Sequence, residues 1–282
     1  MRARFLGGIA TAATLVAMGA APSATAGAVP TSLGRSLRVP AAHGQLIHPF
    51  STNTSNNWFG YQQGVLEKNN TLFHSISGSW IVPKATQHAK GKAEHSSDWI
   101  GIGGGCDNAK CTVTDNTLIQ DGTEQDVSKK GKASYSAWWE IIPEPSTSIH
   151  MTVRPGDHMS SSIVEKPRNS ENWKITLRDV TRKEKFTKSV SYTSSYATAE
   201  WIEETPLIIG TNAGFAALPN LSSPVFDHGT VNGATAKLKP SERISLVNSN
   251  SKVIGAPSAP DPDLDGFNAC AWAKSCKAPS HS

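Results

Sequence analysis

The chain has 282 residues, a formal net charge of +4 at pH 7 and 38% hydrophobic residues. Subtracting Arg2 and Arg4, which belong to the leader described below, leaves a charge of about +2, which is near neutral for this length and does not suggest a nucleic-acid partner. No segment after residue 26 approaches the length of apolar sequence that a bilayer requires, so we expect no membrane partner.

The N-terminal residues have the pattern of a secretory signal peptide. Arg2 and Arg4 precede an uncharged apolar run that begins at Phe5 and closes on the small residues Ala24-Thr25-Ala26. A positive start, an apolar run and a small-residue cleavage site are typical of a cleaved signal rather than of a membrane span. We therefore expect residues 1–26 to be removed and the protein to be secreted into the extracellular space.

Three further regions follow the leader. Residues 27–55 are rich in Ala, Pro, Ser and Asn and show little periodicity, so we expect an irregular arm, a linker or a short pro-segment. Residues 56–276 form short stretches of alternating character bounded by Gly, Pro, Asn or Asp, without a sustained helical period. This pattern predicts one all-β sandwich domain of two antiparallel sheets, followed by a tail at residues 277–282.

The alternation is clear between residues 135 and 141. Period-two spacing predicts that Ser136, Trp138 and Glu140 lie on one face of a strand. The residues on the other face are Tyr135, Ala137, Trp139 and Ile141.

The four cysteines fall into two close pairs, Cys106 with Cys111 and Cys270 with Cys276. Two local disulfides are the simplest interpretation for an exported chain. A zinc site is less favoured, because the spacings are loose and structural zinc is uncommon outside the cell. Pairing between the two couples remains open at this point.

An acidic segment near the C-terminus imitates the first half of a calcium loop, Asp261-Pro262-Asp263-Leu264-Asp265-Gly266. The position that should supply the bidentate glutamate of such a loop is Trp272, and the pattern predicts no flanking helices. We therefore expect an acidic turn and no metal site.

The motifs of the common hydrolases are absent from the sequence, which contains neither G-x-S-x-G nor H-E-x-x-H. Carboxylates and amides remain as candidates, and the segment from Thr198 to Pro206 carries three glutamates. Alternation predicts that Glu200 and Glu204 share one face of a strand, whereas Glu203 lies on the other. Two carboxyl groups on one face suggest a raised pKa.

Six short motifs occur in the same order as in the glutamic peptidases, or eqolisins, and the resemblance extends from Asn57 to Trp272. The motifs are Asn57-Trp58, Ser77 to Pro83, Trp99 to Ile102, Leu118 to Gly122, Ser136 to Glu140 and Ala199 to Pro206. The resemblance implies a concanavalin or lectin-like jelly-roll sandwich whose concave face holds an extended peptide. It also implies a monomer that acts on protein or peptide substrates without a metal or cofactor.

The family's catalytic pair falls on Gln120 and Glu204. Glu203 is a one-residue alternative, because a strand slip would exchange the faces of the two glutamates. The resemblance implies that Glu204 activates water as a general base and that Gln120 stabilises the tetrahedral intermediate at acid pH. The substrate-binding residues would be Trp58 and Trp99, as aromatic walls of the cleft, and Glu140, as a second carboxylate near the site.

This sequence departs from the family pattern at two positions. The family usually has aspartate where this chain has Gly103 and Glu124. The loop from Gly103 to Asn116, which carries Cys106 and Cys111, is also longer than we expect. These changes predict a shifted pH optimum and an altered cleft.

The residues are also compatible with two other functions. A glycoside hydrolase on a lectin-like sandwich would use Glu140 and Glu204 as its pair of carboxylates. That interpretation leaves Gln120 without a role, and the glutamates lack closely spaced partners. A binding module that holds peptides without cleaving them is the second alternative, and the presence of both dyad residues disfavours it.

Overall fold

Alternating polar and apolar residues form strands throughout the part of the chain that the computed structural model describes, residues 53–108, 110–208 and 214–280. The expected signal peptide, and the arm up to residue 52, lie outside these residues. The strands are β1 Thr54–Ser55, β2 Trp58–Gly64, β3 Ser75–Ile81, β4 Ala85–Thr86, β5 Glu94–Gly103, β6 Leu118–Val127, β7 Ala133–Ile141, β8 Thr147–Ile149, β9 His158–Glu165, β10 Asn172–Asp179, β11 Glu184–Ser191, β12 Thr198–Glu204, β13 Leu207–Ile208, β14 Gly214–Phe215, β15 Asn220–Leu221, β16 Val225–Val231, β17 Ala234–Thr235, β18 Arg243–Val247, β19 Val253–Pro257 and β20 Phe267–Ala271.

Helical structure within the described ranges is confined to two short 3-10 turns, Val65–Glu67 and Pro240–Glu242. No helix of the described residues is long and apolar enough to cross a membrane.

The main sheet is hydrogen-bonded in the order β11-β10-β9-β3-β16-β20-β19-β18-β2-β12-β5-β6-β7-β8. The pairs along this path are antiparallel, and β1 adds a parallel pair with β18. The sheet curls over itself and forms two layers. One layer consists of β11, β10, β9, β3 and β16, and the other consists of β2, β12, β5, β6, β7 and β8. The all-β sandwich is confirmed, with the difference that β20, β19 and β18 join its two layers along one side.

Apolar side chains from both layers fill the space between them. The largest fully buried ones include Trp80, Trp173, Trp201, Tyr61 and Phe226. Hydrogen bonds also link the layers, since the indole N–H of Trp80 donates to Thr123 Oγ1 (2.8 Å) and that of Trp201 donates to the carbonyl oxygen of Ser77 (2.9 Å). A buried Trp that finds an acceptor contributes its full apolar area without an unpaired donor.

A second apolar cluster lies on the opposite face of the layer that contains β2, β12, β5, β6 and β7. Its members are Trp58, Trp99, Leu118, Trp138, Ile142, Ile202 and Ile244. The predicted alternation is confirmed in β7, because Ala137 belongs to the interlayer core whereas Trp138 belongs to this second cluster.

Both local disulfides are present, Cys106–Cys111 and Cys270–Cys276. The first closes the loop between β5 and β6, and the second ties the C-terminal segment to β20. These pairings replace the alternatives of cross-pairing and a zinc site.

Three carboxyl groups lie in the interlayer core, where water is excluded. Burial raises the pKa of Asp121 to about 8, although the hydroxyl of Ser161 donates to its Oδ1 atom (2.6 Å). Burial also raises the pKa values of Asp98 and Glu203, which face each other across β5 and β12. Because a buried carboxyl group is most stable when protonated, this core favours acidic conditions.

We predict that the folded chain loses stability as the pH rises from about 4 to about 8. A carboxyl group with a raised pKa keeps its proton in the folded state while the unfolded chain releases it above about pH 4. The contribution is therefore complete below that pH and is lost as the pH approaches 8, by an amount on the order of 5 kcal/mol for Asp121. Urea unfolding at several pH values measures the change.

The Asp121→Asn variant should reduce this pH dependence by the contribution of Asp121, because it cannot release a proton in the core, and should leave the contributions of Asp98 and Glu203. Glu144→Gln removes an exposed carboxyl group and should retain the wild-type dependence. A free energy of unfolding that stays constant or rises between about pH 4 and about pH 8 in the wild type would contradict the prediction.

Candidate active site

Gln120 and Glu204 lie on the same face of the sheet, on the two strands that flank β5. Gln120 in β6 pairs with Gly101, and Glu204 at the end of β12 pairs with Ser97. Their register positions are therefore four residues apart along β5. Ser97, Trp99 and Gly101 are two residues apart along β5, so they point to the same face. Because Trp99 belongs to the second apolar cluster, Gln120 and Glu204 lie on the face that carries this cluster.

The carboxylate of Glu204 is held from two sides. The side-chain amide of Asn57 donates to Oε1 (3.1 Å), and the indole N–H of Trp99 donates to Oε2 (2.9 Å). Charge-assisted bonds of this kind are stronger than neutral ones and fix the orientation of the acceptor. Glu204 remains partly exposed, so its carboxylate can meet a ligand from the cleft.

Asn57 is a site residue to which the sequence analysis gave no role. The hydroxyl of Ser55 donates to its Oδ1 atom (2.9 Å), and the backbone N–H of Thr205 donates to its carbonyl oxygen (2.8 Å). Because the Oδ1 atom of Asn57 accepts the hydroxyl of Ser55, the NH₂ group of the same side chain points toward Glu204. The sequence offers one indication of this role, because Asn57 directly precedes Trp58. Trp58 pairs with Glu204 in the sheet.

Gln120 is anchored by the second carboxyl group of the site. Its Nε2 atom donates to Oε2 of Glu140 (2.6 Å), the residue opposite it in β7. Its Oε1 atom has no hydrogen-bond partner among the described residues. Glu140 is buried, and its pKa is raised by desolvation and by the nearby charge of Glu204. Glu140 is therefore neutral at acid pH.

The three glutamates of β12 occupy distinct environments. Glu203 points into the interlayer core and is fully buried, so it does not reach the face of Gln120. Glu200 shares the face of Glu204 but is also fully buried, against Gly105 of the disulfide loop, and burial raises its pKa well above the usual value. Glu204 is the member of this group that combines the correct face with exposure.

The expected aromatic walls are more buried than a cleft wall needs to be. The rings of Trp58 and Trp99 meet edge to face, with 5.0 Å between their centroids, and Trp99 is fully buried. Trp99 therefore acts on Glu204 through its N–H group. The indole nitrogen of Trp58 has no hydrogen-bond partner among the described residues, and its ring is 6% exposed.

Glycine is required by the backbone at position 103. Gly103 adopts φ +100°, and a Cβ atom there would lie 2.0 Å from the carbonyl oxygen of Thr117. An aspartate cannot occupy this position without moving the start of the disulfide loop. Glu124 lies in the row of Ser97, which places it on the same face as Glu204.

One group on this face has side chains of the types that bind metals. His95, Glu124 and Asp126 place ligand atoms within 4.8 Å of one another, and His95 is already hydrogen-bonded to Asp126 through Nδ1. This group belongs to the far end of the face, beyond Ser97.

The amide of Gln120 and the oriented carboxylate of Glu204 thus lie on one face of an all-β sandwich. Residues 56–261 match the Peptidase A4 family. The chain belongs to that family and is a glutamic-type endopeptidase. A comparison with curated proteins finds no match.

Solved structures support the fold assignment. The chain is similar to scytalido-glutamic peptidase with a transition state analog inhibitor, at 20% identity and a TM-score of 0.59, covering 77% of this chain and 98% of that one. A second structure, of scytalido-glutamic peptidase with a peptide based transition state analog, gives 21% identity and a TM-score of 0.56 over the same shares of the two chains. A third, SCP-B of the eqolisin family in a complex with the tripeptide Ala-Ile-His, gives 19% identity, a TM-score of 0.54 and again 77% and 98% coverage.

We predict that Trp99→Phe lowers kcat/KM for a protein substrate by about tenfold or more, because it removes one N–H donor to Glu204 and keeps an aromatic ring. The loss should fall mainly on kcat, and the pH profile should move. Trp201→Phe is the matched control, since its N–H group binds Ser77 on the opposite face. Equal losses in both variants, per folded molecule, would contradict a specific role for Trp99.

We also predict that Gly103→Asp, which introduces the residue usual in the family, lowers the free energy of unfolding by about 3 kcal/mol or more. Gly91→Asp separates the two causes, because Gly91 also has a positive φ (+80°) but no atom within 4 Å of its Cβ position. It should lose only about 1 kcal/mol. Chemical denaturation measures both, and similar losses would show that the contact with Thr117 has no effect.

Proposed function

We propose that this chain is a secreted endopeptidase that hydrolyses peptide bonds at acid pH with a dyad of Glu204 and Gln120. The observation that carries the proposal is the carboxylate of Glu204, held by two N–H donors on the same face as the amide of Gln120. A general base needs a fixed orientation and access to solvent, and Glu204 has both.

In the proposed reaction, Glu204 takes a proton from a water molecule while the water oxygen bonds to the scissile carbonyl carbon. The carbonyl oxygen becomes negatively charged, and the NH₂ group of Gln120 donates to it. The carbon–nitrogen bond then breaks as Glu204 returns the proton to the leaving amine. The products are a carboxylic acid and an amine, and no other reactant is consumed.

Acid pH suits this pair because of Glu140. While Glu140 is neutral, its hydrogen bond with Gln120 is an ordinary one, and the amide can also donate to a developing oxyanion. If the pH rises until Glu140 ionises, its carboxylate competes with the oxyanion for the same N–H donor and repels Glu204. Because its pKa is raised, Glu140 stays neutral to a higher pH than an ordinary glutamate does. We therefore expect activity at acid pH to extend toward higher pH and to fall where Glu140 ionises.

The proposed substrate is an extended peptide that lies along the face of β12, β5 and β6. Trp58 supports this proposal, because its indole N–H has no protein acceptor among the described residues and could donate to a peptide carbonyl. Two of the similar solved proteins were captured with a peptide-based analog and a tripeptide, which agrees with peptide recognition on this fold. Trp99 and Glu140 would act through Glu204 and Gln120.

Secretion and the domain boundaries are part of the same proposal. The signal-like residues 1–26 and the two disulfides both favour an oxidising compartment. We propose cleavage after Ala26, an arm or pro-segment to residue 55, a peptidase domain at 56–276 and a tail at 277–282. N-terminal sequencing of protein from the culture medium tests this, and an intact N-terminus at Met1 would contradict it.

The dyad is tested by isosteric substitution. We predict that Glu204→Gln lowers kcat on casein at acid pH by about 10³-fold, because an amide cannot accept the proton of water. Gln120→Ala should lower it by about 10²-fold or more through loss of the oxyanion donor. Glu203→Gln is the matched control, one residue away on the opposite face, and it should stay active.

Circular dichroism at acid pH establishes that each variant is folded. An active Glu204→Gln variant, or an inactive but folded Glu203→Gln variant, would contradict the assignment. Wild-type activity should also persist with serine, cysteine and metal-directed inhibitors and with pepstatin, because none of these reagents targets a glutamate and glutamine pair.

A further inference from the structure

The acidic segment between β19 and β20 forms a tight loop that the catalytic face does not use. Asp261, Asp263 and Asp265 each bring a carboxylate oxygen within 4.8 Å of the other two. The loop is closed by its own backbone, because the N–H of Asp261 donates to the carbonyl oxygen of Gly266 (2.9 Å). Three like charges converge on one point, which costs free energy unless a cation or protons offset them.

Asp261 supplies a separate observation, because it is an interior residue. Asp261 is only 3% exposed, and its Oδ2 atom has no hydrogen-bond partner among the described residues. Its Oδ1 atom accepts the backbone N–H of Asp265 (3.0 Å), which fixes the direction of the carboxylate. Asp265 likewise has one buried oxygen, Oδ1, without a partner in the described part of the chain. Buried carboxylate oxygens without a partner are stabilised by a proton or by a cation, and their convergence on one point favours a cation here.

A fourth carboxylate comes from a distant part of the sequence. Asp227 in β16 places an oxygen within 4.8 Å of a ligand atom of Asp265. The backbone keeps these two elements together, since the N–H of Gly229 donates to the carbonyl oxygen of Asp265 (3.0 Å). Among the described residues, no lysine or arginine forms an ion pair with any of the four aspartates. The nearest basic side chain is the imidazole of His228, whose Nδ1 atom lies 3.7 Å from Oδ1 of Asp227. The described residues therefore offset the four carboxylates with at most one imidazolium.

Gly266 fits the same interpretation. A Cβ atom at this position would lie 2.2 Å from Oδ2 of Asp261, so a side chain here would displace that carboxylate. Calcium loops of the D-x-D-x-D-G type require glycine at the sixth position for a sharp turn. Here Gly266 is the sixth residue counted from Asp261.

We propose that Asp261, Asp263, Asp265 and Asp227 form a calcium-binding site. The sequence pattern alone favours an acidic turn, because Trp272 stands where a calcium loop has its final glutamate. In the folded chain, Asp227 supplies the carboxylate that the loop lacks. Hard oxygen ligands select Ca²⁺ or Mg²⁺ over softer metals, and a set of four protein carboxylates suits Ca²⁺, because Mg²⁺ usually keeps several waters and takes only one or two carboxylates. The ion ties the β19–β20 loop to β16. This inference does not depend on the proposed dyad.

The experiment uses the full-length purified protein, treated with a chelator and then exchanged into buffer near pH 7.5, above the pKa of Asp265, which burial and neighbouring carboxylates raise to about 6. Isothermal titration with CaCl₂ should show one ion per chain. A saturating Ca²⁺ concentration, about 100 times the dissociation constant, should raise the melting temperature by about 5 °C. The same concentration of MgCl₂ should raise it less.

Asp263→Asn is the main variant, because Asp263 is exposed and its replacement should leave the fold intact. It should weaken Ca²⁺ binding by about tenfold or more and reduce the thermal shift. Asp227→Asn should weaken binding similarly, which tests the ligand from β16. Asp126→Asn is the matched control, since it removes a carboxylate from the separate group of His95, Glu124 and Asp126, and it should bind as the wild type does.

The proposal is overturned if Ca²⁺ produces neither heat nor a thermal shift in the wild type. Wild-type affinity in Asp263→Asn or in Asp227→Asn would also overturn it, as would binding that only Asp126→Asn removes. Binding of Zn²⁺ without binding of Ca²⁺ would show a different kind of site, in which His228 takes part, and would reject the calcium assignment.

Discussion

The pairing register of β12 between β2 and β5 is the constraint on which the site depends. Successive side chains of a strand point to opposite faces, so this register sends Glu203 into the core and Glu204 to the face of Gln120. A slip of one residue would exchange them and would move Trp201 out of the interlayer core. The burial of Trp201 between the layers therefore also fixes the position of Glu204, the proposed general base.

Acid conditions favour the core and the proposed site for the same physical reason. Asp121 and Glu203 lie between the layers, and Glu140 lies opposite Gln120 in β7. Burial raises the pKa of each of these carboxyl groups, because the charged form is poorly solvated there. Stability and the proposed catalysis thus both depend on protonated, buried carboxyl groups. A rise in pH that ionises these groups therefore opposes both.

The sequence predicted the strands and their faces where alternation was strong. Residues 135–141 are an example, because Tyr135, Ala137, Trp139 and Ile141 occupy every second position there. Ile149, Met151 and Val153 have the same spacing in the sequence, but β8 ends at Ile149. Local pattern also could not reveal the bond from Asn57 to Glu204, which joins residues 147 positions apart. The same limit concealed the contact of Asp227 with Asp265 and the positive φ of Gly103, since both depend on tertiary packing.

The two ends of the main sheet have a consequence for an enzyme that handles extended peptides. An open edge strand offers unpaired N–H and C=O groups to any extended chain, including a substrate or a cleavage product. At one end, β8 is only three residues long. At the other end, β11 carries Glu184, Lys185 and Lys188, and charged side chains disfavour the addition of another strand. Both edges of the sheet are therefore poor places for a substrate or a cleavage product to add as a further strand.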